Sequence, residues 1–482
     1  MIKDMTQGKI AGTLWRFSLP LLVSMMFQQL YQIADSAIAG RYCGENALAA
    51  VGNSNEVTLI FMAFAIGCNM GSSVVISQLF GAKRYREVKT AVGTTFLASL
   101  TLAVVLTVAG LFVSPQLLRL MQTPDQIFSD TMVYLNIYIY GIFFLFLYNI
   151  STGVFSALGD SRTPLYFLIG SSVVNIVLDV LFVSTFQRGV AGVAWATFLA
   201  QGGSGILSFL TLLRRLRSIP SEGKTRWFSL PLLWQVTRVS VPGILQQSFV
   251  SVGNLFTQTL INGYGPGVIA GYSSAIKLNN FASLSLVAFA SGYSTFAAQN
   301  IGAGRFDRVR RGYRIGIGMA AVMAVPFIAA FQLFAEPLLR IFLQNPSTDA
   351  LSAGSLFLRM VPPGFLILII KLMSDNVLKG AGEMRCFMVT TCLDLVLRVS
   401  LAYLLSGPFG LYGIWASWPA GWLIGAVVAV LFYRSGIWER SRLAQWSIQN
   451  APAQPGGEPG AGDAAQSAPE RETAAAGSGA QE

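Results

Sequence analysis

Between Arg16 and Arg41 the chain is a long apolar run whose only formal charge is Asp35. Farther on, "VNIVLDVLF" sets Asn175 and Asp179 four residues apart, on one face of a helix, and "GVAWATFLAQ" carries Thr197. A carboxyl group kept inside an apolar segment is costly, so it faces a cavity or a partner. There it can take up and release a proton, or hold Na+ together with polar neighbours. The blander alternative for Asp35 is a carboxylate at a helix end reaching the membrane interface. Charge spacing alone leaves both readings open.

The elements that must position these residues are membrane helices. Of 482 residues 53% are hydrophobic and only 11% charged, where a soluble chain has about a quarter charged. Apolar stretches of 18 residues or more recur along nearly the whole length, which predicts an all-α polytopic membrane protein. Twelve spans are expected, near 13–39, 53–79, 90–113, 131–155, 163–185, 190–213, 235–262, 268–299, 313–334, 355–379, 386–407 and 410–433. The net charge of +11 does not point to nucleic acid. Lys83, Arg84, Arg86 and Lys89, then Arg214 to Arg226, then Arg305 to Arg314 crowd alternate loops, while the intervening loops hold only Arg41, Arg119, Arg188 and Arg340. This asymmetry predicts a cell-membrane protein with both termini cytoplasmic and basic loops facing anionic lipid.

Span order brings the polar residues together. At a rise of ~1.5 Å per residue, Asp35 lies roughly 28 Å above Arg16, and Asn175 and Asp179 about 18 and 24 Å above Thr163. Thr197, on a descending span, lies about 10 Å below the outer side. All four fall in the outer half of one bundle.

The chain also repeats itself. "SLPLLVSMMFQQLYQIADSAIAGRYCG" (18–44) aligns with "SVPGILQQSFVSVGNLFTQTLINGYGP" (240–266), "SQLFGAKRYREVK" (77–89) with "AQNIGAGRFDRVR" (298–310), and "STGVFSALGDSR" (151–162) with "SDNVLKGAGEMR" (374–385). An even number of spans per copy gives two lobes of like orientation, the parallel-repeat plan with a substrate path between halves. The expected organisation is a six-helix lobe over 10–213, a cytoplasmic linker over 214–234, a second lobe over 235–435, and a tail over 436–482, disordered from about 451.

With "FSLPLLV" opening the first half, "QLFGA" and "QNIGAG" after spans two and eight, and "ALGDSRTPLY" before span five, the chain resembles the MATE (multidrug and toxic compound extrusion) family over about residues 10–435. The resemblance implies an inner-membrane antiporter that expels organic, often cationic, compounds against inward H+ or Na+. In DinF-like relatives an aspartate near the end of span one, an Asn-x-x-x-Asp in span five and a threonine in span six form the cation site. Asp35, Asn175, Asp179 and Thr197 occupy matching places, and any Na+ would bind there. NorM-like relatives use a glutamate in span seven, which this chain lacks, so the resemblance implies no second-half ion site. An interhelical hydrogen-bond network without ion traffic is the structural alternative.

Gln246, Gln247 and Asn254 are candidates for the substrate pathway, although interhelical bonding is the commoner role of such residues. Lys277, alone in span eight, either repels cations or pairs with Asp375. Tyr31, Phe61, Phe64, Tyr138 and Phe155 are candidates for an apolar wall offering cation–π contact. Lys371 with Asp375, and Asp394 with Arg398, have the i,i+4 spacing of pairs that neutralise each other within one helix. The chain has no histidine, and its four cysteines lack metal-type spacing. No phosphate-binding G-x-x-x-x-G-K-[ST] motif occurs either. The expectation is therefore a monomeric transporter without cofactor, driven by an ion gradient, handling small organic molecules and touching lipid rather than nucleic acid. A flippase for lipid-linked precursors, or a metabolite exporter of the same superfamily fold, is the alternative. No catalytic centre suggests an enzyme.

Overall fold

Asp35 is carried by α1 (Ile10–Cys43), Asn175 and Asp179 by α6 (Arg162–Val180), and Thr197 by α7 (Gly189–Arg217). A computed structural model describes residues 3–43, 45–221, 225–343 and 346–449, apart from the side chains of 36, 37, 39, 41–43, 45, 48, 251, 252, 254 and 255. The expected tail over 451–482 lies outside the described residues. The other first-half helices are α2 (Glu45–Gly81), α3 (Tyr85–Leu120), α4 (Asp125–Tyr140) and α5 (Ile142–Ala157). The second half contains α8 (Leu230–Asn262), α9 (Pro266–Gly302), α10 (Phe306–Arg340), α11 (Thr348–Met360), α12 (Phe365–Ala381) and α13 (Met384–Arg434), and α14 (Arg442–Gln449) follows.

Three breaks reconcile these helices with twelve spans. α4 and α5 form one span bent by 49° at Gly141. α11 and α12 are interrupted at Pro362–Gly364, where two prolines cannot donate backbone hydrogen bonds. α13 is a helical hairpin. Gly410 takes φ +55°, ψ −134°, a conformation open to glycine, and returns Gly413 against Leu405 and Gly421 against Asp394. Several helices run past the expected spans, α1 covering Ile10–Cys43 and α10 Phe306–Arg340. α7 reaches Arg217 and α8 begins at Leu230, which shortens the connection expected over 214–234.

The bundle is apolar outward. Val104, Val105, Val108 and Phe112 on α3 and Val173, Val174 and Val177 on α6 are exposed, as suits a lipid-facing surface. On α6 the buried positions Ser172, Asn175 and Asp179 form the opposite stripe. This helix therefore turns its polar face into the protein.

The halves meet most closely at the end bearing the basic loops. Gln78 Nε2 donates to Gly380 O at 2.8 Å, and Gln299 Nε2 donates to Ala157 O at 2.8 Å. Their side-chain oxygens are held as well, Gln78 Oε1 by Ser447 Oγ of α14 at 3.2 Å and Gln299 Oε1 by the Met5 amide at 2.9 Å. A methyl group on Gly81 would overlap the Gln299 carbonyl, and one on Gly302 the Gln78 carbonyl, so glycine allows this backbone approach. The segment after the second half packs back onto the bundle over 442–449. α14 docks, with Arg84 stacked 4.3 Å over Trp446 and bonded to its carbonyl at 3.0 Å.

Candidate functional site

Tyr31 and Asp35 sit one turn apart on α1, facing the polar stripe of α6. Asp179 is fully buried and Asn175 nearly so, while Asp35, Tyr31 and Thr197 are partly buried. The Asp35 and Asp179 carboxyl groups are neighbours, close enough to interact. One orientation of the Asn175 amide satisfies its surroundings. Its nitrogen donates to Tyr31 Oη at 3.1 Å and Asp179 Oδ2 at 3.0 Å, and its oxygen accepts from the Thr197 backbone N–H at 3.1 Å. All four residues expected to share a cation site therefore converge.

Three features set this cluster apart from an ordinary hydrogen-bond network. Asp35 Oδ1 and Asp179 Oδ1 are buried and have no hydrogen-bond partner, a costly state for a carboxyl oxygen. Among the described residues, neither carboxylate forms an ion pair. The cluster also opens onto a cavity of about 440 Å³ that includes Asp35, Asn175, Thr197, Tyr134, Tyr138 and Gln201 in its wall. Directly after Asp179 the helix widens into a π-helical turn, Leu181–Thr185, a distortion frequent at functional sites.

The substrate-pathway candidates separate. Tyr31 and Tyr138 line the cavity. Phe61 does not: it is buried in the core against Gly110 of α3. Phe155 is likewise buried in the core, and Phe64 packs against it. Gln246 and Gln247 are partly buried on α8 and line neither this cavity nor the one below it. The Asn254 side chain lies outside the described residues. Lys277 is exposed, 6.0 Å from the Phe342 ring centroid, so it does not pair with Asp375. Sequence reasoning passed over Tyr134, whose signal was its place one turn before Tyr138.

The second half buries charge differently. Lys371 Nζ donates to Asp375 Oδ2 at 2.9 Å, as its spacing predicts, and Thr390 Oγ1 donates to Asp375 Oδ1 at 2.7 Å. The expected Asp394–Arg398 pair is corrected. Asp394 Oδ2 lies 3.6 Å from Lys371 Nζ across the helix interface, while the Arg398 guanidinium lies 4.6 Å over the Trp418 ring. Gly421 and Gly425, packed against Asp394 and Lys371, bring the helices close enough for this.

Comparison with known proteins places the fold. The MatE family model matches twice, over residues 20–181 and 242–404, which together make up more than half of the chain. The probable multidrug resistance protein YpnP of Bacillus subtilis is 29% identical over 447 residues, covering 91% of this chain and 98% of YpnP. The probable multidrug resistance protein NorM of Thermotoga maritima is 25% identical over 446 residues, covering 90% and 94%. Among solved structures, MATE in the straight conformation aligns with a TM-score of 0.83 at 24% identity, covering 90% of this chain and 97% of that one. A MOP superfamily transporter from Pyrococcus furiosus aligns at 0.82 and 23%, with the same coverage. These neighbours share the twelve-span architecture. The chain belongs to the MatE family of multi-pass membrane transporters and is not an enzyme.

Proposed function

We propose that this protein is a secondary antiporter that exports organic, drug-like, mainly cationic compounds in exchange for inward H+ or Na+. The observation that carries the reading is the Asp35–Asp179 pair, neighbouring carboxyl groups of which Asp35 lines the cavity, with no cationic side chain beside them among the described residues. Such a pair repels unless a proton or a cation lies between its members. Asn175 and Thr197 add an amide and a hydroxyl, so the donor set also suits a hard monovalent ion. Binding the inward-moving ion and binding a cationic substrate then compete for the same negative charge, which is the requirement for exchange.

In this reading the lobes are residues 10–213 and 235–435, and the protein is a monomer of the cell membrane with both termini cytoplasmic. The interlobe contacts around Gln78 and Gln299 close the cytoplasmic end, and alternating access requires them to break. The membrane potential supplies about 2.3 kcal/mol per charge per 100 mV. The test is ethidium efflux from proteoliposomes under a pH gradient alone and a Na+ gradient alone. One of the two gradients should drive uphill movement. Movement that only follows the ethidium gradient under both conditions would reject antiport.

A further inference from the structure

A second cavity, of about 380 Å³, lies below the first, towards the basic end and between the halves. Gln28, Tyr148 and Leu168 belong to both walls, so the two spaces adjoin. Their charges are opposite. Among the described residues, Asp35 is the one charged residue lining the upper cavity and Lys379 of α12 the one lining the lower. Among the described residues no carboxylate lies within ion-pairing distance of Lys379. The rest of its wall is rich in hydroxyl groups, including Ser77, Ser156, Ser294 and Thr295, and the buried Ser77 Oγ has no hydrogen-bond partner.

The internal alignment shows where this charge comes from. Ala157 and Gly380 are counterparts, since each accepts the hydrogen bond of the other half's glutamine. One residue earlier stand Ser156 and Lys379, both on this cavity wall. The second half has placed an ammonium where the first has a hydroxyl. Lys379 is partly buried, where a cation without a counter-ion is costly, and its hydroxyl-lined surroundings offer hydrogen-bond donors to an anion.

We infer that the lower cavity is an anion subsite, in which Lys379 takes the carboxylate of a zwitterionic substrate whose cationic end faces Asp35. This rests on the export reading above and narrows its substrate class from cations to amphoteric molecules. Each cavity has the volume of a pocket for a drug-sized group, and one ammonium suits a single carboxylate.

The probes are ciprofloxacin, which carries a carboxylate and a protonated amine, and its ethyl ester, which keeps only the amine. Binding of each to the purified full-length protein is read by tryptophan fluorescence, and gradient-driven efflux is read in proteoliposomes. The wild-type protein should bind the acid more tightly than the ester. Lys379→Gln and Lys379→Met should weaken acid binding roughly tenfold, the loss of one charge-assisted hydrogen bond, while ester binding changes by less than about twofold. Lys379→Arg should keep the preference for the acid. A wild-type protein that binds acid no better than ester overturns the subsite without using any variant, and so does a preference that survives Lys379→Gln. An equal loss for both probes assigns Lys379 a structural role and also overturns it. A lysine-dependent preference in binding without driven efflux supports the subsite and sinks the export reading. Driven ethidium efflux without any acid preference does the reverse.

Discussion

In the first half of the chain Asp35 and Asp179 meet and, among the described residues, no cation stands beside them, whereas in the second half Asp375 and Asp394 both face Lys371. Both arrangements bury carboxylates, and the same residue type has different consequences in each. A buried ion pair whose partners satisfy each other is fixed, because separating it leaves an unpaired charge in low dielectric. A carboxyl pair without a cation is unfinished, and a mobile ion can complete it. Charge compensation, rather than the mere presence of an intramembrane carboxylate, separates the candidate coupling site from the structural one.

The largest expected effect breaks this contrast at Asp35. Asp35→Asn keeps shape and hydrogen bonding but removes the titratable charge. Gradient-driven efflux per folded molecule should fall by about 100-fold or more, the loss of a group acting in every cycle. Asp179→Asn should impair transport less, since Asp35 faces the cavity directly. Proteoliposome efflux normalised to folded protein measures both. Full coupled activity in Asp35→Asn would remove the ion site from the first half.

The next effect is on stability. Asp375→Asn strips Lys371 of its nearest anion and should destabilise the protein by about 3 kcal/mol, the scale for breaking a buried pair. Turnover per folded molecule should stay near wild type. Replacing both partners, Lys371→Met with Asp375→Leu, should recover only part of the loss, because Asp394 then loses the ammonium it faces. Thermal unfolding in detergent, set beside efflux, separates the outcomes. Selective loss of coupling in Asp375→Asn, with stability intact, would give the second half an ion site and erase the contrast.

Much of this was legible in the sequence, and the gaps have physical causes. Hydropathy located twelve spans, and the spacing and depth of Asp35, Asn175, Asp179 and Thr197 anticipated their meeting, because rise per residue and helix face are local quantities. Neighbours are not local. The i,i+4 rule paired Asp394 with Arg398, but Gly421 and Gly425 let the helix pair close until Lys371 was within reach and Trp418 covered the arginine. Phe61 had the residue type for a cavity wall, yet residue type does not say which way a helix turns its face. The docking of α14 was hidden because its partners, Gln78 and Arg84, lie more than 350 residues away in the chain. Lys379 did leave a signal, a base opposite Ser156 in the aligned halves.

A smaller effect sharpens the comparison where the halves behave alike. Gln78 and Gln299 make matching bonds to the other half's backbone. Gln78→Ala and Gln299→Ala should each weaken closure of the basic end by about 1 kcal/mol, the net worth of one such hydrogen bond. Cysteines placed at Ser73 and Ser291 on the lower cavity wall should then react several-fold faster with a reagent added from the cytoplasmic side. Equal increases are expected from the two variants. A large effect from one glutamine and none from the other would show that the terminal segments holding them, Met5 and Ser447, are not equivalent.

The last effect distinguishes the two ions. Thr197 contributes its backbone N–H to the Asn175 oxygen, and its hydroxyl lies 3.4 Å from the same amide. Thr197→Val preserves the branched shape and the backbone donor and removes only the hydroxyl. If a proton is the coupling ion, the Asp35–Asp179 pair carries it, and the hydroxyl adds one neutral hydrogen bond of about 1 kcal/mol or less. The driving-ion dependence of efflux should then shift by roughly threefold to fivefold. If Na+ is the coupling ion, the hydroxyl is one of few oxygen ligands and no water-poor substitute replaces it. Half-saturating Na+ should then rise by an order of magnitude or more, about 1.4 kcal/mol per tenfold. Titrating efflux against pH in Na+-free buffer, and against Na+ at fixed pH, reads the shift for each ion. An unchanged response to both would leave Asp35 and Asp179 as the whole of the site, with Thr197 positioning Asn175 through its backbone alone.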